Sequence, residues 1–270
     1  MGLARSLGWA LFAGMLASCT TTTVTNSGGE IIAKGSERSV GRAGEADART
    51  RARARADLAA GYYRNGQLAI ALEEARRATT IDSGYADAFG LLGLIYMDMN
   101  ERREAEDNFR QALRLDPASS QLSNNYGWFL CQTGRERESL EYFERALRDP
   151  LYPTPARAAQ NAGSCLFKVK DYTEAERYLR RSFELEASNP STKFLLARTH
   201  LALGQVDRAT FYYNLLARSV DSSPESLWLG VRIARANGDL RTESQLAKEL
   251  RERFPRSPEA SALARGDFSE

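Results

Sequence analysis

Small and large residues follow one another along this chain in an order that returns every 34 residues. The small residue is Ala59, Gly93, Gly127, Gly163 or Ala197, and a large one stands three positions later at Tyr62, Tyr96, Leu130, Leu166 or His200. A sixth, weaker copy has Val231 and Ala234. Next come Gly66, Asn100, Gly134, Lys170, Gly204 and Gly238. Most of these tolerate positive φ, so a turn is predicted at each. Beyond the turn a second small residue follows (Ala71, Ala105, Ser139, Ala175, Ala209), then a larger one such as Phe109, Phe143, Leu179 or Tyr213. Units start at Ala52, Ala86, Ser120, Ala156, Pro190 and Pro224, spaced by 34 residues except for 36 between Ser120 and Ala156, where "DPLYPTP" lies.

This pattern resembles the tetratricopeptide repeat, a pair of antiparallel helices per unit. The resemblance implies an all-α protein, a right-handed α-solenoid of six helix pairs over residues 52–258. Small residues let the two helices approach, and large ones fill the space beside them. One pair cannot bury its apolar face alone, so neighbours stack into a continuous core. All eight prolines (117, 150, 153, 155, 190, 224, 255, 258) lie at or beside the unit junctions, where they break no helical ladder. The sixth unit puts Glu243 where the small residue belongs, as suits a polar terminal cap, and 259–270 is expected to be a C-terminal tail.

The N-terminal end reads differently. Arg5 precedes the apolar run "LGWALFAGML", which is too short to span a bilayer but matches a secretory signal. "LASC" then resembles the lipobox of bacterial lipoproteins. Residues 1–18 would be removed and the thiol of Cys19 lipidated, the only covalent group expected and the only substitute for a cofactor. An ordinary signal peptide with an incidental cysteine is the plainer reading. Thr20 in place of Asp points, by enterobacterial sorting rules, to the outer membrane. Residues 19–51 hold little to bury and are expected to form a flexible tether with an r.m.s. span of roughly 30 Å.

Composition narrows the chemistry. With 37 Lys and Arg against 35 Asp and Glu, and no uninterrupted basic run, nucleic acid is not an expected partner. The single histidine, His200, occupies a large core position and is expected to be packed, not catalytic; it leaves no ready zinc site or Ser/His relay. Acidic pairs such as Glu73 with Glu74, and Glu104 with Glu106, are placed on outward helix faces. Asp87 and Asp98 on one helix stand about 16 Å apart, beyond the roughly 5–9.5 Å of glycosidase carboxylates. Neither an enzyme nor a small-molecule substrate is expected. Cys131 and Cys165 could form a disulfide in an oxidising periplasm, with two small buried thiols as the alternative.

What remains is a groove lined by the first helix of each unit. Its expected side chains are Arg53, Tyr63 and Arg64, then Leu94 and Met97, then Asn124, Trp128 and Gln132. Gln160, Phe167, Lys168, Arg198, Trp228, Arg232 and Arg235 continue it. Aromatic and Arg groups on a preformed surface anchor protein and peptide partners, although Trp128 or Phe167 packed between units is an equal alternative. The stretches "NNYGWFLC", "DPLYPTPARAAQNAGSC" and "SLWLGVRIARANGD", together with the lipobox, resemble the type IV pilus biogenesis and stability lipoprotein family, the pilotins of the pilus secretin. That resemblance implies a lipid-anchored adaptor on the periplasmic face of the outer membrane. It would bind the secretin subunit and promote its localisation and multimerisation, supporting pilus assembly and twitching motility. An adaptor for cell-wall enzymes or for outer-membrane protein assembly is the alternative.

Overall fold

The computed structural model describes residues 37–268, with side chains from residue 44 onward. The signal segment, Cys19 and the first part of the tether lie outside the described residues. The chain divides into two compact units, 1–47 and 48–270, and the contacts below belong to the second.

Thirteen helices and no strand occur among the described residues. They are α1 (Glu37–Arg64), α2 (Leu68–Ile81), α3 (Ala86–Asp98), α4 (Arg102–Leu115), α5 (Ser120–Gln132), α6 (Glu136–Arg148) and α7 (Pro155–Lys168). Then come α8 (Tyr172–Leu185), α9 (Pro190–Ala202), α10 (Val206–Ala217), α11 (Pro224–Ala236), α12 (Leu240–Arg253) and α13 (Pro258–Arg265). Each odd helix from α3 to α11 packs on the even one after it, and the pairs stack in chain order, which makes the protein an α-solenoid.

The small/large pattern works by direct contact. A Cβ placed on Gly93 would stand 2.7 Å from the Phe109 ring, and one on Gly127 would stand 3.0 Å from the Phe143 ring. On Gly163 it would meet Leu179 at 2.5 Å. Only glycine admits that approach, so each pair locks its own second-helix residue against its first helix. Tyr213 of α10 also reaches the following pair: a Cβ on Gly230 would stand 2.2 Å from its hydroxyl, while Tyr213 packs on the cluster that holds Ala197 and Ala209. All six turn residues have positive φ, including Asn100 at 62° and Lys170 at 64°. Pro155, Pro190, Pro224 and Pro258 each open a helix, where the missing N–H costs nothing. In the longer junction the extra residues leave Leu151 exposed and bury Tyr152 beside Phe143 and Ala158.

Curvature follows from which helices meet. The first helices α3, α5, α7, α9 and α11 touch in succession, whereas no second helix from α2 to α12 comes as close to the next one. The first helices are therefore the inner row of the curve.

Two expectations are corrected. Residues 37–51 are helical, not part of a flexible tether. The run "EADARTRARARA" lacks large apolar groups, but Ala and Arg favour helix, and Ala52, Ala56 and Ala59 form a buried stripe along α1. The tail at 259–270 is also structured through Phe268, because α13 closes the open end of the last pair with Ala260 and Leu263 against Leu227 and Leu250.

Candidate functional site

The inner row presents its predicted side chains in three different conditions. At the N-terminal end Arg53 and Arg64 are exposed, and Arg53 faces Asp57 at 3.9 Å. Tyr63 donates from Oη to Asp98 Oδ2 at 2.7 Å, tying α1 to α3. Burial, with that carboxylate beside it, pushes the phenol well above its usual range. Leu94 and Met97 are half-buried against the cluster of Tyr96, Phe109, Tyr126 and Phe129. Asp98 is thus a partner of Tyr63 rather than half of a carboxylate pair with Asp87.

In the middle, Asn124 is corrected from groove surface to interior: it is 2% exposed, and its Oδ1 accepts from Asn161 Nδ2 at 3.1 Å. An amide buried between two helices is tolerated there because the neighbouring pair supplies its partner. Trp128 is half-buried against the core cluster of this region, and Gln132 is exposed. Gln160 accepts from Thr192 Oγ1 at 3.1 Å across the next junction.

Cys131 on α5 and Cys165 on α7 are joined by a disulfide, with Cα atoms 5.8 Å apart. Both are about 1% exposed. Lys168 bends back over this link, donating from Nζ to the Cys131 carbonyl at 2.9 Å and pairing with Glu136 at 2.9 Å. That ammonium, with a backbone hydrogen bond, holds the Glu136 carboxyl below its usual range. Beside it opens a hollow of about 460 Å³ lined by Gln132, Phe167, Lys168, Tyr172 and Arg198. Phe167 is nearly buried and forms part of its wall: Tyr172 lies 5.0 Å from its ring, and the Arg198 guanidinium sits 4.4 Å over it.

Arg198 also borders a second hollow, of about 270 Å³, lined by Phe194, Glu225, Trp228, Arg232 and Glu259. The surface therefore continues from α7 across α9 to α11. At its far end Trp228 is half-buried, and Arg235 is exposed but engaged. Phe268 stacks on Trp228 with centroids 5.3 Å apart, and Arg235 lies 4.0 Å over the Phe268 ring while pairing with Glu243 at 2.9 Å. No repeat-based reading of the sequence placed Phe268, because it follows the last repeat.

The outer-face assignment of the acidic pairs is corrected in part. Glu74 is buried between Arg55 and Arg77, at 2.8 and 2.9 Å. Glu106 receives Arg110 and Arg135, each at 2.7 Å, and the Tyr126 hydroxyl at 3.2 Å. Burial pushes the Glu106 carboxyl up, but the Arg135 and Arg110 guanidiniums outweigh it and hold the group below its usual range. Glu74 ties α1 to α2 within the first pair, and Glu106 on α4 clamps its pair to the next through Tyr126 and Arg135. The spacing of small and large residues could not reveal them, since both partners look like surface charges in isolation.

His200 is packed as expected, stacked on Tyr212 at 5.3 Å with Nδ1 2.8 Å from Gln205 Oε1. Desolvation by burial lowers its pKa, only partly offset by Gln205. Among the described residues no group of three or more His, Cys, Asp and Glu side chains is arranged to hold a metal ion.

Comparison with known proteins places this surface in context. Residues 91–162 and 166–227 each match the tetratricopeptide-repeat family. The type IV pilus assembly protein PilF of Pseudomonas aeruginosa is 30% identical over 202 residues, spanning 75% of this chain and 80% of that protein. The crystal structure of PilW, a widely conserved type IV pilus biogenesis factor, superimposes with a TM-score of 0.75 at 33% identity, over 79% of this chain and 98% of PilW. The P. aeruginosa PilF structure gives 0.73 at 29% identity, over 83% and 99%.

Proposed function

The chain belongs to the tetratricopeptide-repeat family of type IV pilus assembly proteins, and on that premise we propose that it is a non-enzymatic, lipid-anchored adaptor for the pilus secretin. Lipidated Cys19 holds it on the periplasmic face of the outer membrane, and the inner row of helices binds the secretin subunit and promotes its multimerisation. The observation that carries this reading is the continuous inner surface from Phe167 and Lys168 through Arg198 to Trp228 and Arg232. Aromatic and Arg side chains are set there on rigid helices, with no catalytic constellation beside them. Aromatic and Arg groups are enriched among the residues that dominate binding energy at protein interfaces. Anchoring at the membrane raises the local concentration of whatever the surface binds.

Cys19→Ala tests the reading. The variant is expected to leave the membrane fraction and to scatter secretin multimers away from the outer membrane. Capture of the secretin subunit by the purified chain should be lost when Phe167 and Arg198 are both replaced by Ala. Unchanged fractionation of Cys19→Ala would remove the anchor from the proposal. Unchanged secretin capture by the double variant would remove the groove.

A further inference from the structure

The end of the solenoid carries a small site whose occupant is visible. α13 ends at Gly266, whose φ of 67° lets the chain reverse direction; Gly266 N bonds to Leu263 O at 3.1 Å and Asp267 N to Ala262 O at 3.0 Å. The reversal delivers Phe268 onto α11. Trp228, Arg232 and Arg235 follow the i, i+4, i+7 spacing of one helix face, and the Phe268 ring is shared by the first and the last of them. Arg235 is held in place by Glu243, so the slot is preorganised on its cationic side.

Phe268 does not belong to the core beneath it. The cluster that seals the last pair consists of Leu227, Leu250 and Ala260, with Trp228, Leu246, Phe254 and Leu263 packed on it. The Phe268 ring remains half-buried outside that cluster. Its contacts are a ring stack and a cation–π contact, the two interactions by which an aromatic side chain is recognised on a surface. Beside Trp228 the hollow bordered by Arg198 and Arg232 gives room for a longer extended segment.

We propose that the α11 end of the inner surface is a binding slot for an aromatic side chain, filled in the free chain by its own Phe268. A partner segment of the same chemistry displaces it. Two ring contacts are weak, and a short tether supplies an effective concentration only on the order of millimolar. A partner that adds contacts along the neighbouring hollow therefore outcompetes the tail. The inference deepens the adaptor reading, on which it rests only in taking the partner to be a protein.

The test uses the full chain with Phe268→Ala and the free peptide GDFSE, the sequence of residues 266–270. The variant is expected to bind the peptide saturably, read by tryptophan fluorescence and by NMR of the peptide ring. The unsubstituted chain should bind it about tenfold more weakly, because its slot is occupied. The peptide GDASE should not bind, and adding Trp228→Ala should abolish binding of GDFSE. Equal binding of GDFSE and GDASE to the variant overturns the proposal, as does equal affinity of the variant and the unsubstituted chain for GDFSE. If Phe268→Ala loses its helical far-UV spectrum, the unsubstituted chain decides: excess GDFSE must shift the NMR signals of Phe268 and Trp228, and no shift at saturating peptide overturns the slot. Secretin capture is a separate readout, so loss of that activity with peptide binding intact counts against the function and not against the slot.

Discussion

Cys131 and Cys165 join α5 to α7 across the one irregular junction of the solenoid, 34 residues apart in sequence and 5.8 Å apart at Cα. Both helices belong to the inner row, so the bond fixes neighbouring pairs where the spacing lengthens and Tyr152 is drawn inside. A crosslink closing a loop of this length removes about 4 kcal/mol of unfolded-state entropy on the chain-entropy estimate.

Replacing both cysteines by Ala should therefore lower stability by roughly 3–4 kcal/mol, read as a shift of the urea midpoint. Reductant should produce a similar shift in the unsubstituted chain and none in the double variant. Alkylation should label Cys131 and Cys165 only after reduction under denaturing conditions.

Gly93→Ala tests the pair-locking contact. The new methyl would stand 2.7 Å from the Phe109 ring, which is packed on all sides. Overpacking of this kind costs about 1–3 kcal/mol. Gly61→Ala, where nothing lies within 4 Å of the new Cβ, serves as the control. It should be neutral or slightly stabilising, since Ala favours helix by about 1 kcal/mol over Gly. Thermal unfolding of the two variants should move in different directions or differ by several degrees.

Lys170→Gly should stabilise the chain. Lys170 holds φ at 64°, in the left-handed region where a side chain costs about 1–2 kcal/mol. Its partner turns at Gly66, Gly134, Gly204 and Gly238 already use glycine. The gain is expected near 1 kcal/mol after the extra unfolded-state entropy of glycine is deducted, and a denaturant titration measures it.

His200 sets a pH dependence. Its folded pKa is depressed, chiefly by burial, with Arg208 adding to the effect and Gln205 and Glu176 opposing it. Below the unfolded value of 6.5 the unfolded chain takes up a proton that the folded chain refuses. Stability contributed by neutral His200 is complete above 6.5 and falls as pH drops toward the lower folded value. The slope cannot exceed about 1.4 kcal/mol per pH unit. His200→Gln should flatten that part of the profile, measured by urea unfolding at a series of pH values.

Much of the architecture was legible from residue order because its causes are local and repeated. A glycine opposite a large residue, a turn position that requires positive φ, and a proline at a helix start each act within one unit. Six copies of the same arrangement make the period unmistakable. The extent of α1 was missed because residues 44–51 bury almost nothing themselves and extend a helix that Ala52, Ala56 and Ala59 anchor downstream.

The candidate site was legible only as a set of helix positions. Spacing identifies which residues lie on the first helices, and Phe167, Lys168, Arg198, Trp228 and Arg232 among them line two hollows. It could not tell that Asn124 is enclosed by Asn161, or that Arg235 is engaged with Glu243 and Phe268.

By itself, then, the sequence determined the number of helix pairs, the turns between them and the small/large contacts, all of which depend on neighbours within about 34 residues. The tertiary structure decided what lies between pairs and beyond the last one: the pairing of Glu106 with Arg135, the link from Cys131 to Cys165, and the seat of Phe268 on Trp228. Those outcomes depend on how far each pair rotates against the next. That rotation is set by side-chain packing summed over the whole interface, which no single period in the sequence encodes.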